Sequence, residues 1–359
     1  MNIVSVSRTI IRLPSIGRSA AIRIAARPTL ASATVVRNES VDVVRFFAAA
    51  GIVFVHATES APLVRWGNFF RFAVPFYLFA SLYFQSLSLR RNPERTLPRY
   101  AALRFRRLYL PFFAWSVIYL LAHDLKRVLS HDSLVSLRPS MLWTGTEYHL
   151  WFLPFLLLAS LVMAVVQRTF LQQDRSLRWV AIAVAIGSGL AFTQVPMPAS
   201  WGSTTDSSLI SYMQWWRAIS AACWAMAFAW FMTLGPVIFA VTPVMGVAGI
   251  ALVLACSLKQ VLNDIQLIPR GLTGLGCMLA ALTPWRGPVV SWLARYGRYG
   301  YGIYLCHVLI LEPMHVLSAR LHLPPSIPRD FVIFGFGFAG SLALVQMLGR
   351  SSRLKWLNG

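Results

Sequence analysis

Apolar runs long enough to cross a bilayer recur along this chain, separated by short polar segments. "FAVPFYLFASLYF", "LYLPFFAWSVIYLLA", "LWFLPFLLLASLVMAVV" and "FVIFGFGFAGSLALVQML" approach the roughly 20 residues that a helix needs to span hydrocarbon. Period-2 alternation is absent from these runs, which argues against a β-barrel. The pattern predicts an all-α polytopic membrane protein of about 10 transmembrane helices. They fall over residues 41–59, 69–87, 105–122, 150–167, 179–194, 215–234, 237–257, 269–284, 300–317 and 331–349. The least marked boundary is the sixth-to-seventh turn, "TLGPVIFAVTPVMG", which carries no charge. An even number of spans puts both termini on one side.

Charge assigns that side. Taking it as cytoplasmic, the internal segments with the adjoining span ends hold 22 Lys and Arg against 3 acids, and the external segments with theirs hold 9 against 7. This is the positive-inside distribution. It accounts for the net charge of +21 without nucleic acid, because a nucleic-acid binder has no reason to alternate its charge this way. Composition agrees: 57% of residues are hydrophobic and 13% charged, where a soluble domain would be about a quarter charged. The expected location is the cell (inner or plasma) membrane, with membrane lipid as the surrounding partner. The internal stretch "SLRRNPERTLPRYAALRFRR" is the densest charge cluster.

Three regions are expected: a transmembrane domain over 37–350, a basic tail over 1–36 and a short basic tail over 351–359. The first 36 residues are Arg-rich and hold no acid. They read as a cytoplasmic tail, an over-extended start or a targeting segment. Cys223, Cys256, Cys277 and Cys306 lie isolated in apolar spans, so no disulfide framework or metal-ligand spacing appears. No metal is expected.

The first span carries three ionisable residues. Arg45 and His56 are eleven positions apart, so they differ by about 20° around a helix and by about 16 Å along it. Asp42 sits one turn before Arg45, placed for an ion pair. Ala48, Ala49 and Ile52 fill the face between them. Read structurally, Asp42–Arg45 is an interfacial anchor and His56 a satisfied polar group. Read functionally, the stripe faces a cavity or a partner, as intramembrane ionisable residues usually do. In the ninth span Tyr304, His307 and His315 fall near one face, with Glu312 in the same span. Glu147, His149 and Trp151 stand at the outer end of the fourth. Each group has a plain reading too: helix-fixing hydrogen bonds for the ninth span, and an aromatic interfacial belt for Trp151.

Four stretches, in order along residues 37 to about 311, carry a resemblance. The first is "RNESVDVVRFFAAAGIVFVHA", an Arg, ten residues, then a His. The second is "LRFRRLYLPFFAWSVIY", with Arg104, Arg107 and Pro111. The third is "EYHLWFLPFLLLASLV", with His149 to Leu153. The fourth is "YGRYGYGIYLCHVLI", with Tyr301, Gly302, Tyr304, Leu305 and His307. Together they resemble the membrane-bound acyltransferase-3 family, the integral-membrane O-acyltransferases of glycans. The second span departs from it: Ser81 is followed by Leu82 where the family usually has Gly, which bears on local helix packing.

The resemblance implies an O-acyltransferase that moves an acyl group, commonly acetyl, from acetyl-CoA or another acyl-CoA to a hydroxyl of a cell-surface or exported glycan. In that reading Arg45, Arg104 and Arg107 hold the anionic end of the donor, since a guanidinium binds phosphate bidentately. The donor's flexible arm runs up the first helix to His56, the essential residue. A neutral imidazole is available at working pH. His56 acts either as general base on a hydroxyl or as a carrier of the acyl group itself. Glu147, Trp151, Tyr304 and His307 are the candidates for the acceptor side. Two other classes compete: a multi-pass transporter and a structural scaffold. The chain shows none of the paired repeats or matched helix breaks of many transporters, and a scaffold needs no Arg and His on one stripe.

Overall fold

A computed structural model describes residues 38–171, 174–199, 207–234, 241–262 and 267–358; the tail expected over 1–36 lies outside these. Among the described residues the chain is helical and holds no strand. Ten apolar helices match the ten expected spans. They are α1 (Glu39–Ala57), α3 (Ala73–Arg91), α4 (Leu97–Leu129), α6 (Phe152–Val166), α7 (Arg175–Gln194), α8 (Ser207–Leu234), α9 (Pro243–Leu262), α10 (Leu267–Leu282), α12 (Gly300–Arg320) and α13 (Ile327–Arg350). Nine of these, with their flanking turns, are long and apolar enough to cross a membrane, while α10 has only 16 residues. Short helices α2 (Ala61–Gly67), α5 (Met141–Thr144) and α11 (Pro288–Gly297) lie in the connections. The seventh span begins later than expected, at Pro243.

α1, α3, α6 and α8 bury most of their apolar surface inside the bundle, whereas α7, α9 and α13 leave most of theirs exposed. In a bilayer the exposed side chains, such as Val180, Val247 and Phe336, meet lipid at no cost. The centre is held by close approach and by polar ties. Gly249 and Gly276 bring α9 and α10 together, where a methyl on either would stand 2.6 Å from the other's carbonyl oxygen; small residues serve this purpose between membrane helices. Leu82, at the position where the family usually has Gly, is fully buried in the core.

α1 is central and its ends are fixed. Asn38 caps it, accepting from the Val41 amide at 3.2 Å, and Glu39 and Asp42 suit the positive end of the helix dipole. Beyond its C-terminus, Asp330 of α13 accepts from the Glu59 amide (3.0 Å), the Ser60 amide (2.8 Å) and the Ser60 hydroxyl (2.6 Å). This clamp fixes the height of His56, four residues earlier, relative to the bundle.

Candidate functional site

The polar edge of α1 faces inward. Ala48, Ala49 and Ile52 are buried, while Phe47 on another side is exposed. The expected Asp42–Arg45 pair forms, with Nη1 3.1 Å from Oδ1. The Arg45 carbonyl also accepts from the Tyr77 hydroxyl at 3.2 Å.

A cavity of about 680 Å3 opens beside Arg45. Among the described residues six arginines line it (Arg45, Arg95, Arg104, Arg106, Arg107 and Arg298) and no acid does. Arg104 is held in place: its Nη2 donates to Gln85 Oε1 at 2.7 Å and its Nε to the Tyr100 hydroxyl at 2.8 Å. Gln85 in turn donates to the Ser160 carbonyl at 2.6 Å, so α3, α4 and α6 together fix one guanidinium. Among the described residues no hydrogen bond engages the Arg107 guanidinium, which leaves its fork of donors free. Pro111, inside α4, also lines the cavity; its ring interrupts the helical hydrogen-bond ladder there. The cavity reaches Ile52, Phe152, Leu156 and Tyr304 and ends there. His56, one turn beyond Ile52, is not in its lining, so the passage from Arg45 stops one turn short of the imidazole.

The wall between them is aromatic. Tyr304 donates to the His149 carbonyl. The His149 ring lies 4.8 Å from that of His307, and His307 lies 5.2 Å from His56. His307 and His149 are buried. His307 Nδ1 is 2.8 Å from the Tyr304 carbonyl, while its Nε2 and both nitrogens of His149 lack partners among the described residues. Burial pushes the His149 imidazole well below its ordinary value of 6.5. His56 Nδ1 lies 3.0 Å from the Tyr148 hydroxyl. Burial, with the Glu147 carboxylate next, raises the Tyr148 phenol, so the hydroxyl keeps its proton at neutral pH. His315 Nε2 is 3.2 Å from the His56 carbonyl.

The candidates for the acceptor side divide. Tyr304 and His307 join the cluster. Glu147 stands next to it and pairs with His123 Nε2 at 2.8 Å. Trp151 is buried, packs edge-on against Phe152 and Phe155, and does not line the cavity. His123, Glu147 and Glu312 bring three potential ligand atoms within 4.8 Å of one another, but Lys126 sits 2.7 Å from Glu312 and supplies the positive charge that an ion would bring. Tyr148, Gln85 and His123 are contacts that the sequence reading missed. Tyr148 adjoins a motif histidine, which is a faint signal. Gln85 and His123 carry none, because their partners are 19 and 24 residues away.

Among the described residues the chain is an all-helical membrane bundle in which an arginine-lined cavity ends one turn short of a histidine–tyrosine cluster. The family model described as an acyltransferase domain matches residues 38–346. The chain therefore belongs to the acyltransferase-3 family and carries a multi-pass acyltransferase domain. No curated protein and no solved structure matches it significantly.

Proposed function

We propose that this acyltransferase takes an acyl group, acetyl in the first instance, from acyl-CoA and passes it to a hydroxyl of a cell-surface or exported glycan. The observation that carries the donor assignment is the cavity. Its lining among the described residues holds six arginines and no acid, and it reaches Ile52, one turn before His56. Its arginines suit the phosphates of coenzyme A, with Arg107 free to bind and Arg104 pre-set by Gln85. The pantetheine arm then extends along α1 past Ile52.

At the far end His56 is the group that handles the proton. With Nδ1–H donating to Tyr148, its Nε2 lone pair is free to take the hydroxyl proton as the oxygen attacks the thioester carbonyl. The acyl–sulfur bond then breaks and the thiol leaves protonated. Because Tyr304, His149 and His307 stand between cavity and imidazole, transfer requires the Tyr304–His149 contact to open when the donor is seated. That opening couples donor binding to chemistry and keeps water from the thioester at other times.

The test is purified protein incubated with labelled acetyl-CoA and a glycan extract. Wild type transfers label; His56→Ala binds the donor, stays folded and transfers none. A folded His56→Ala protein that still transfers rules out the assignment. Donor dependence unchanged by Arg104→Gln and Arg107→Gln rules out the cavity as the coenzyme A site.

A further inference from the structure

Three arginines outside the arginine-lined cavity come from elements packed near α1. Arg71 lies in the turn Asn68–Phe72 before α3, Arg217 on α8 and Arg270 on α10. Close contacts at two glycines bring α3, α8 and α10 together. A methyl on Gly271 would overlap Trp224 of α8, and one on Gly274 would overlap Pro75 of α3. Arg217 is two turns before Trp224 on the same face, and Arg71 one turn before Pro75. The three charges accordingly act on one another, and that of Arg71 also reaches His56. The turn that holds Arg71 rests on α1 just below His56, where Phe70 packs against Gly51 and Phe54.

No carboxylate among the described residues pairs with any of the three. Arg71 Nε donates to Asn68 at 2.7 Å. Arg270 is 5% exposed, and its buried Nη1 has no hydrogen-bond partner. A buried guanidinium without a counter-charge is costly, and proteins hold such groups where a ligand completes them. None of the three lines the donor cavity.

We propose that Arg71, Arg217 and Arg270 form an anion site beside His56 that holds a carboxylate or phosphate on the molecule receiving the acyl group. This rests on the acyl-transfer reading and names the acceptor's chemistry: an acidic sugar or a sugar phosphate with its reacting hydroxyl near His56. Planar guanidinium donors suit either oxyanion. A neutral acceptor leaves the arginines unpaired and is rejected for that reason.

The experiment is equilibrium binding of glucuronate and of inorganic phosphate to the full chain in lipid nanodiscs, with saturating coenzyme A present to fill the arginine-lined cavity. It compares wild type, Arg270→Gln and Arg217→Gln. Saturable binding is expected in wild type, at least tenfold weaker in Arg270→Gln and several-fold weaker in Arg217→Gln. Arg217 is half-buried, so its variant keeps the test valid if Arg270→Gln does not fold. Binding unchanged in both, or absent from folded wild type, overturns the site. Selective weakening of succinyl-CoA relative to acetyl-CoA in Arg270→Gln moves the site to the acyl group and overturns the acceptor assignment. Loss of coenzyme A binding in wild type with anion binding intact breaks the donor reading and leaves the anion site standing.

Discussion

His56 and Tyr148 meet at 3.0 Å although 92 residues separate them, and in the proposed reaction this contact leaves Nε2 as the nitrogen that takes the proton. Tyr148→Phe is expected to lower kcat by roughly ten- to a hundredfold, within the usual range for disturbed acid–base catalysis. The KM for donor should hold, and steady-state kinetics checks the split. His149 supplies a pH test. Its imidazole is held below 6.5 by burial, so the unfolded chain binds a proton that the folded one does not. Its contribution to stability is complete above pH 6.5 and is lost as pH falls from there toward its folded value. Thermal unfolding from pH 7.5 to 5 should therefore show a steeper loss of midpoint in wild type than in His149→Gln; equal slopes would contradict this. Gly297 gives a packing test. A methyl there would stand 1.7 Å from the Asp42 carbonyl oxygen, backbone against backbone, so Gly297→Ala should destabilise by about 1–3 kcal/mol in a melting assay.

Among elements, α3 helps to build the arginine-lined cavity through residues that look like ordinary core. Gln85 links Arg104 to α6. Its neighbour Ser86 donates to Gln167 at 2.9 Å and lies 2.5 Å from the Thr233 hydroxyl of α8. Gln85 is a positioning residue: Gln85→Leu should raise the KM for acyl-CoA several-fold with little change in kcat, as steady-state kinetics checks. A fall in kcat alone would show that Gln85 does not act through Arg104. The motif histidines behave differently from the arginines at this scale. The Arg-x-x-Arg pair is presented by one helix, while the histidine cluster needs α1, the loop before α6, and α12 to converge. The eleven-residue interval in α1 was therefore readable as one face, but the convergence was not.

For the whole molecule, charge and height set direction. The positive-inside rule places the 88–96 loop with the termini in the cytoplasm and the 130–140 loop opposite. Reporter fusions after residues 93 and 133 should give opposite responses; the same response from both would reverse or break the topology. The sequence by itself determined the class, the positions of the apolar helices, the inward stripe on α1 and the arginine-rich segment at the start of α4. Those depend on hydrophobic length, helical period and local charge, which are properties of contiguous residues. The tertiary structure alone decided that the cavity ends one turn before His56 and that Tyr148 and not Trp151 faces the imidazole. It also decided that Arg71, Arg217 and Arg270 come from helices packed on one another, with no carboxylate among the described residues paired to any of them. Each of these is a meeting of helices distant in the chain, fixed by glycine contacts and buried hydrogen bonds. No local pattern encodes which helix face lies against which.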